Sequence, residues 1–158
     1  MLNEWGGDSM TEMIEKLDVK IRPQVKQFIH ELDSLGIAYK VLETRRTPEV
    51  QAAYYAQGRE PLDVVNAKRK VARLYLLTEK ENRNKITWTL KSKHIDGLAI
   101  DIVPVIGGRI PWAITDSKVA AAWLHMGEIG EKCGLQWGGR WTPLDKFGCG
   151  RDCPHYEV

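Results

Sequence analysis

Ser92-Lys93-His94-Ile95-Asp96-Gly97-Leu98-Ala99-Ile100-Asp101 is the stretch on which the fold turns. Gly97 permits a tight turn that side-chain-bearing residues resist. Leu98 to Val103 then alternates as a strand, with Leu98, Ile100 and Ile102 on one face and Ala99, Asp101 and Val103 on the other. Asp101, next to the small Ala99, is set to reach off the core-facing side, and His94 lies just before the strand. An imidazole and a carboxylate converging in this way make two thirds of an open zinc site. The third ligand is expected from Asp152-Cys153-Pro154-His155-Tyr156-Glu157. Pro154 biases Cys153 to extended geometry. The residues after it read as a strand with His155 and Glu157 on one face, Tyr156 and Val158 on the other. Such a site also needs a carboxylate to carry protons. Asp152 and Glu157 both lie near His155, and spacing does not choose between them.

The pair of patterns, Ser-x-His-x-x-Gly-x-Ala-x-Asp and Asp-x-Pro-His-x-Glu, resembles the L-alanyl-D-glutamate peptidases. These are zinc endolysins related to the D-alanyl-D-alanine carboxypeptidases and, in fold, to the Hedgehog signalling domain. The resemblance covers residues 21 to 158 with one insertion. It implies an α+β fold, a small antiparallel sheet flanked by helices. It implies one zinc ion on His94, Asp101 and His155, with a position left for water. It gives Asp152 the proton-carrying task, leaving Glu157 to orient a ligand or the local strand. The family carries an Arg and, five positions on, a Gln. Arg46 and Gln51 match, and Tyr-Ala-Gln-Gly-Arg at 55–59 continues the likeness. By that analogy Arg46 contacts a substrate carbonyl or carboxylate, and Ser92 bonds substrate or braces its loop. The implied activity is hydrolysis of the L-alanyl-D-glutamate bond in peptidoglycan stem peptides, and the implied role is host-wall lysis by a phage or prophage. A D-alanyl-D-alanine carboxypeptidase and a non-catalytic zinc-containing binding module are the alternatives.

The chain departs from the family in three places. Asp63 to Asn84 is an insertion. Arg140 stands where the Gly-Leu-x-Trp-Gly-Gly-x-Trp run, residues 134–141 here, usually has an aspartate. The loop from Trp141 to Asp152 is longer than usual.

With 158 residues and a net charge of +2, the chain is expected to be a single catalytic domain over 1–158 and a monomer. Its N-terminus lacks a basic region followed by an apolar run, so synthesis in a bacterial cytoplasm and action on the wall after release are expected. No apolar run reaches membrane-spanning length. Cys133, Cys149 and Cys153 fit a reducing compartment, and reduced loop thiols are preferred to a thiolate zinc site.

Residues 1–10 read as a loose arm. Thr11 to Leu35 reads as helical, with Pro23 in a first turn and Gly36 as the stop. Ile37 to Glu43 alternates as a strand. Thr47 and Pro48 open a helix through Gln57, closed by Gly58. Within the insertion, Val64, Ala67, Val71, Leu74 and Thr78 recur at helical spacing. Residues 59–93 hold ten Lys or Arg and four Asp or Glu, an excess above the whole chain's +2. Polyanion contact is therefore possible for this segment, without any nucleic-acid specificity. Trp88 and Leu90 are expected to pack near the site. Asp116 caps a helix from Ser117 to Cys133, whose stripe is Val119, Ala122, Trp123, Met126 and Ile129. His30 and His125 read as structural or surface residues.

Overall fold

The computed structural model describes residues 9–158, and the expected arm falls almost wholly outside them. Two compact units make up the chain: residues up to 45 with 97–158, and residues 46–96.

The larger unit holds helices α1 (Met10–Glu15), α2 (Arg22–Ser34) and α6 (Ser117–Lys132). Its strands are β1 (Tyr39–Glu43), β2 (Ala99–Pro104), β3 (Gln136–Trp137) and β4 (His155–Glu157). They form one antiparallel sheet in the order β1-β2-β4-β3. The helix expected over 11–35 is two helices. Ser9 and Glu12 form a capping box on α1. The break follows from a tether: Asp18 N–H donates to the Gly97 carbonyl at 2.9 Å, and Asp18 Oδ1 accepts from Lys20 N–H. Leu17 and Ile21 on either side are buried, so the break packs as core. Pro23 sits in the first turn of α2 as expected.

Val25, Phe28, Ile29 and Leu32 of α2 join Trp123, Met126 and Ile129 of α6 over Ile100, Ile102 and Tyr156. Burying each large apolar side chain contributes about 1.5–3 kcal/mol. Asp116 caps α6 by accepting from Lys118 and Val119 N–H, and Gly134 at φ +88° follows its end. Two glycines let α6 sit close to the sheet. A Cβ on Gly127 would lie 2.4 Å from the Trp137 ring, and one on Gly130 would lie 2.5 Å from Tyr156.

Register fixes the site. Ile100 lies opposite Tyr156, and Asp101 opposite His155. Directly opposed residues share a face, so the first pair fills the core while the second stands on the other side. A slip of one residue would exchange them. The β1–β2 ladder shifts register between Val41 and Glu43, beside Asp101.

The smaller unit holds α3 (Pro48–Ala56), α4 (Leu62–Val71) and α5 (Glu79–Asn82). Thr47 caps α3 by accepting from Val50 N–H, and Gly58 takes φ +76°. The insertion differs from the expected amphipathic helix. α4 stops at Val71, Arg73 adopts φ +57°, and Thr78 caps the short α5. Val64 and Val71 are exposed, while Val65 and Arg69 are buried. The inward face is thus one residue away from the apolar stripe. The buried guanidinium is what shifts it: Arg69 Nε donates to the Tyr75 carbonyl at 2.6 Å and Nη1 to Gln57 Oε1 at 3.4 Å. A buried cation is tolerated when its donors are met in this way. Ala56, Val65 and Leu77 form this unit's own small core.

Candidate metal centre

Asp101 and His155 face each other across β2 and β4, with Asp101 Oδ1 3.3 Å from His155 Nδ1. One ligand atom each from His94, Asp101 and His155 lie within 4.8 Å of one another. Tetrahedral ligands bound at about 2.0–2.1 Å stand roughly 3.4 Å apart. The Asp101–His155 distance meets that spacing, and two imidazoles with one carboxylate are a donor set that zinc accepts. His94 is 2% exposed and His155 6%. Buried imidazoles beside a carboxylate are costly unless paired or metal-bound, so the residues fit the ion.

The other ring nitrogen of His155, Nε2, lies 2.8 Å from Glu157 Oε2. Glu157 has the outer position from which a carboxylate orients a metal-binding histidine. The ring of Trp141 stands 5.2 Å from the His155 ring and walls one side. Trp141 ends the Gly-Gly-x-Trp run, and nothing in that local pattern signals a place beside His155. Burial lowers the His155 pKa, but the hydrogen bonds its ring donates to Asp101 and Glu157, with the charges of Asp101 and Asp152, raise it to about 9. The imidazole of the metal-free chain therefore carries a proton at neutral pH.

Local structure holds each donor. Gly97, at φ +71°, turns the chain from His94 into β2. A Cβ there would lie 3.0 Å from Asp18 N. Ser92 Oγ accepts from His94 N–H at 3.3 Å, so this hydroxyl braces the turn. The His94 carbonyl accepts from Arg46 N–H at 2.9 Å. Arg46 Nη1 donates to Gln51 Oε1 at 2.6 Å, and Gln51, 1% exposed, passes the connection on to Thr89. Arg46 and Gln51 are thus one unit, while Arg45 is exposed. Asp152 precedes His155 in a tight turn, its carbonyl accepting from His155 N–H at 3.1 Å. Its carboxylate is near enough to add to the charge that holds the His155 proton.

The other residues singled out in the sequence fall as follows. Trp88 and Leu90 do not pack: they are 73% and 54% exposed. The Arg140 guanidinium pairs with Glu131 at 2.8 Å and lies over Trp137. Cys149 and Cys153 are free thiols outside the His/Asp/His cluster. Burial pushes Cys153 up to about 12, so it is a poor thiolate ligand. His30 and His125 are exposed.

Residues 85–158 match the family model described as D-alanyl-D-alanine carboxypeptidase. That span contains all three clustered donors, Asp152 and Glu157. Over those residues, just under half of the chain, the sequence is similar to that family. Solved structures agree in fold. The Serratia marcescens L-Ala D-Glu endopeptidase ChiX is 18% identical, with a TM-score of 0.52, covering 94% of this chain and 84% of that one. VanYB in complex with D-alanine-D-alanine is 17% identical, with a TM-score of 0.51, covering 90% and 71%. At such identities the likeness is one of fold. No curated protein sequence matches the chain. The α+β architecture and small antiparallel sheet are the fold of these two solved peptidases.

Proposed function

We propose that this chain is a zinc-dependent peptidase that hydrolyses the L-alanyl-D-glutamate bond of peptidoglycan stem peptides. The observation that carries the reading is the cross-strand pair Asp101–His155 joined by His94, with Glu157 behind His155. When bound, zinc polarises a carbonyl and lowers the pKa of water to about 7.

The chain's own residues supply the rest. Asp152, next to the ligand turn, takes a proton from the attacking water and returns it to the leaving amine. Arg46, fixed by Gln51, donates to the substrate oxygen on which charge develops, a contribution of about 3–4 kcal/mol for a well-placed donor. Ser92 keeps His94 in place. The wall is the partner. The basic segment 59–93 is suited to draw the protein to anionic wall polymers, and no helix among the described residues is long and apolar enough to cross a membrane. We assign the chain, as a monomer, to wall lysis during phage release, on the resemblance of its motifs to endolysins.

A second reading has one observation in its favour. The family model over 85–158 is described by the D-alanyl-D-alanine reaction. Mass analysis of purified peptidoglycan digested with and without a chelator separates the two. New C-terminal L-alanine and N-terminal D-glutamate support the proposal. Released D-alanine supports the second reading, and an unchanged wall refutes both.

A further inference from the structure

Trp88 is the most exposed large apolar residue described, at 73%, with Ile86 and Leu90 also exposed two residues to either side. A lone exposed aromatic needs no explanation. This one differs because the backbone on both sides of it is held. Gln51 Nε2 donates to the Thr89 carbonyl at 2.6 Å and to Thr87 Oγ1 at 3.3 Å. Arg59 Nη2 donates to the Thr87 carbonyl at 3.0 Å, while Nη1 donates to the Tyr55 carbonyl at 2.6 Å. Arg59 lies 4.0 Å over the Tyr55 ring and 5.8 Å from the Trp88 ring, and Lys85 Nζ is 5.7 Å from the same ring. An indole held in water by a buried amide and a stacked guanidinium keeps apolar surface wet that a slack loop would fold away. The frame also includes Arg46, through its bond to Gln51.

We infer that Trp88 is a stacking platform for a saccharide ring of the glycan strand that carries the stem peptide. The inference rests on the peptidase reading above. Peptidoglycan offers two chemistries, peptide and sugar. A peptide needs backbone partners or walled pockets. A pyranose ring instead presents a face of slightly positive C–H groups, which suits the negative face of an open indole. Its hydroxyl and acetamido oxygens, around the ring edge, accept hydrogen bonds. Arg59 and Lys85 are donors beside the indole. The bond attributed to this enzyme lies one residue from the sugar, so a platform tied to Arg46 engages both ends of one substrate.

The test compares a free stem peptide with the same peptide on its N-acetylglucosaminyl-N-acetylmuramoyl disaccharide. Trp88→Ala is expected to raise KM for the disaccharide peptide by roughly three- to tenfold. Its kcat, and both constants on the free peptide, should hold. Trp88→Phe should restore most of the loss. Equal effects on the two substrates, or no effect on either, overturn the inference. Should the wild type cleave neither, the peptidase reading fails, and calorimetric titration with the disaccharide peptide still decides the platform. Weaker binding by Trp88→Ala supports it; equal binding overturns it.

Discussion

Glu157 Oε2 lies 2.8 Å from Nε2 of His155, on the opposite side of the imidazole from Asp101. The ring is held between two carboxylates, one at the metal position and one behind it. Glu157→Gln keeps a hydrogen-bonding group but removes the charge. Zinc affinity should fall by about 10- to 100-fold, read by competition with a chromogenic chelator. Unchanged affinity would show that Glu157 only pairs the strand.

The same arrangement sets a pH dependence. The His155 pKa is raised above its ordinary 6.5 to about 9, so the metal-free chain holds that proton at neutral pH. Zinc must displace it. Apparent affinity should therefore tighten by about tenfold per pH unit as pH rises towards 9, then level off. Binding at neutral pH should release one proton more than the same titration above pH 9. Calorimetry in buffers of different ionisation enthalpy reads that proton.

Asp152 is distinguished from the ligands by what its removal leaves. Asp152→Ala should retain stoichiometric zinc and lose turnover by about 10²- to 10⁴-fold. His94→Ala and Asp101→Ala should lose both. Zinc-loaded Asp152→Ala with full activity, established by metal analysis and hydrolysis of the same sample, removes Asp152 from proton transfer.

Gly127→Ala tests the packing that sets the strands. In an open helix the change would stabilise by up to about 1 kcal/mol. Here the new Cβ would lie 2.4 Å from the Trp137 ring. That ring is 1% exposed, and its Nε1 donates to the Cys153 carbonyl at 2.7 Å, so it cannot swing aside. Overpacking costs about 1–3 kcal/mol and should win. Thermal unfolding should show a lowered Tm; a raised one contradicts this packing account.

Much of this was legible in the sequence because local chemistry decided it. Thr47, Asp116, Gly36, Gly58 and Gly134 carry their signals within four residues, and each cap or stop stands where expected. The strand alternation placed Asp101 and His155 on faces away from the core side of their strands. The antiparallel register that sets them opposite each other is a long-range property, and only the structure supplies it. The break between α1 and α2 depends on Asp18 meeting Gly97, 79 positions away, which periodicity does not encode. The α4 stripe misled because Arg69 counts as polar in a pattern yet is buried once its donors find Tyr75 and Gln57. Trp88 misled in the opposite sense: hydrophobicity suggested burial, while bonds to its neighbours' backbone hold it out.

Reconstitution of the metal-free protein with measured zinc, followed by peptidoglycan hydrolysis at each addition, bears most directly on the central claim. Turnover should climb in step with zinc bound by the wild type and level off at one equivalent, and neither should appear in His94→Ala. Full hydrolysis before any zinc is added, or undiminished zinc uptake by His94→Ala, would contradict a catalytic ion held by His94, Asp101 and His155.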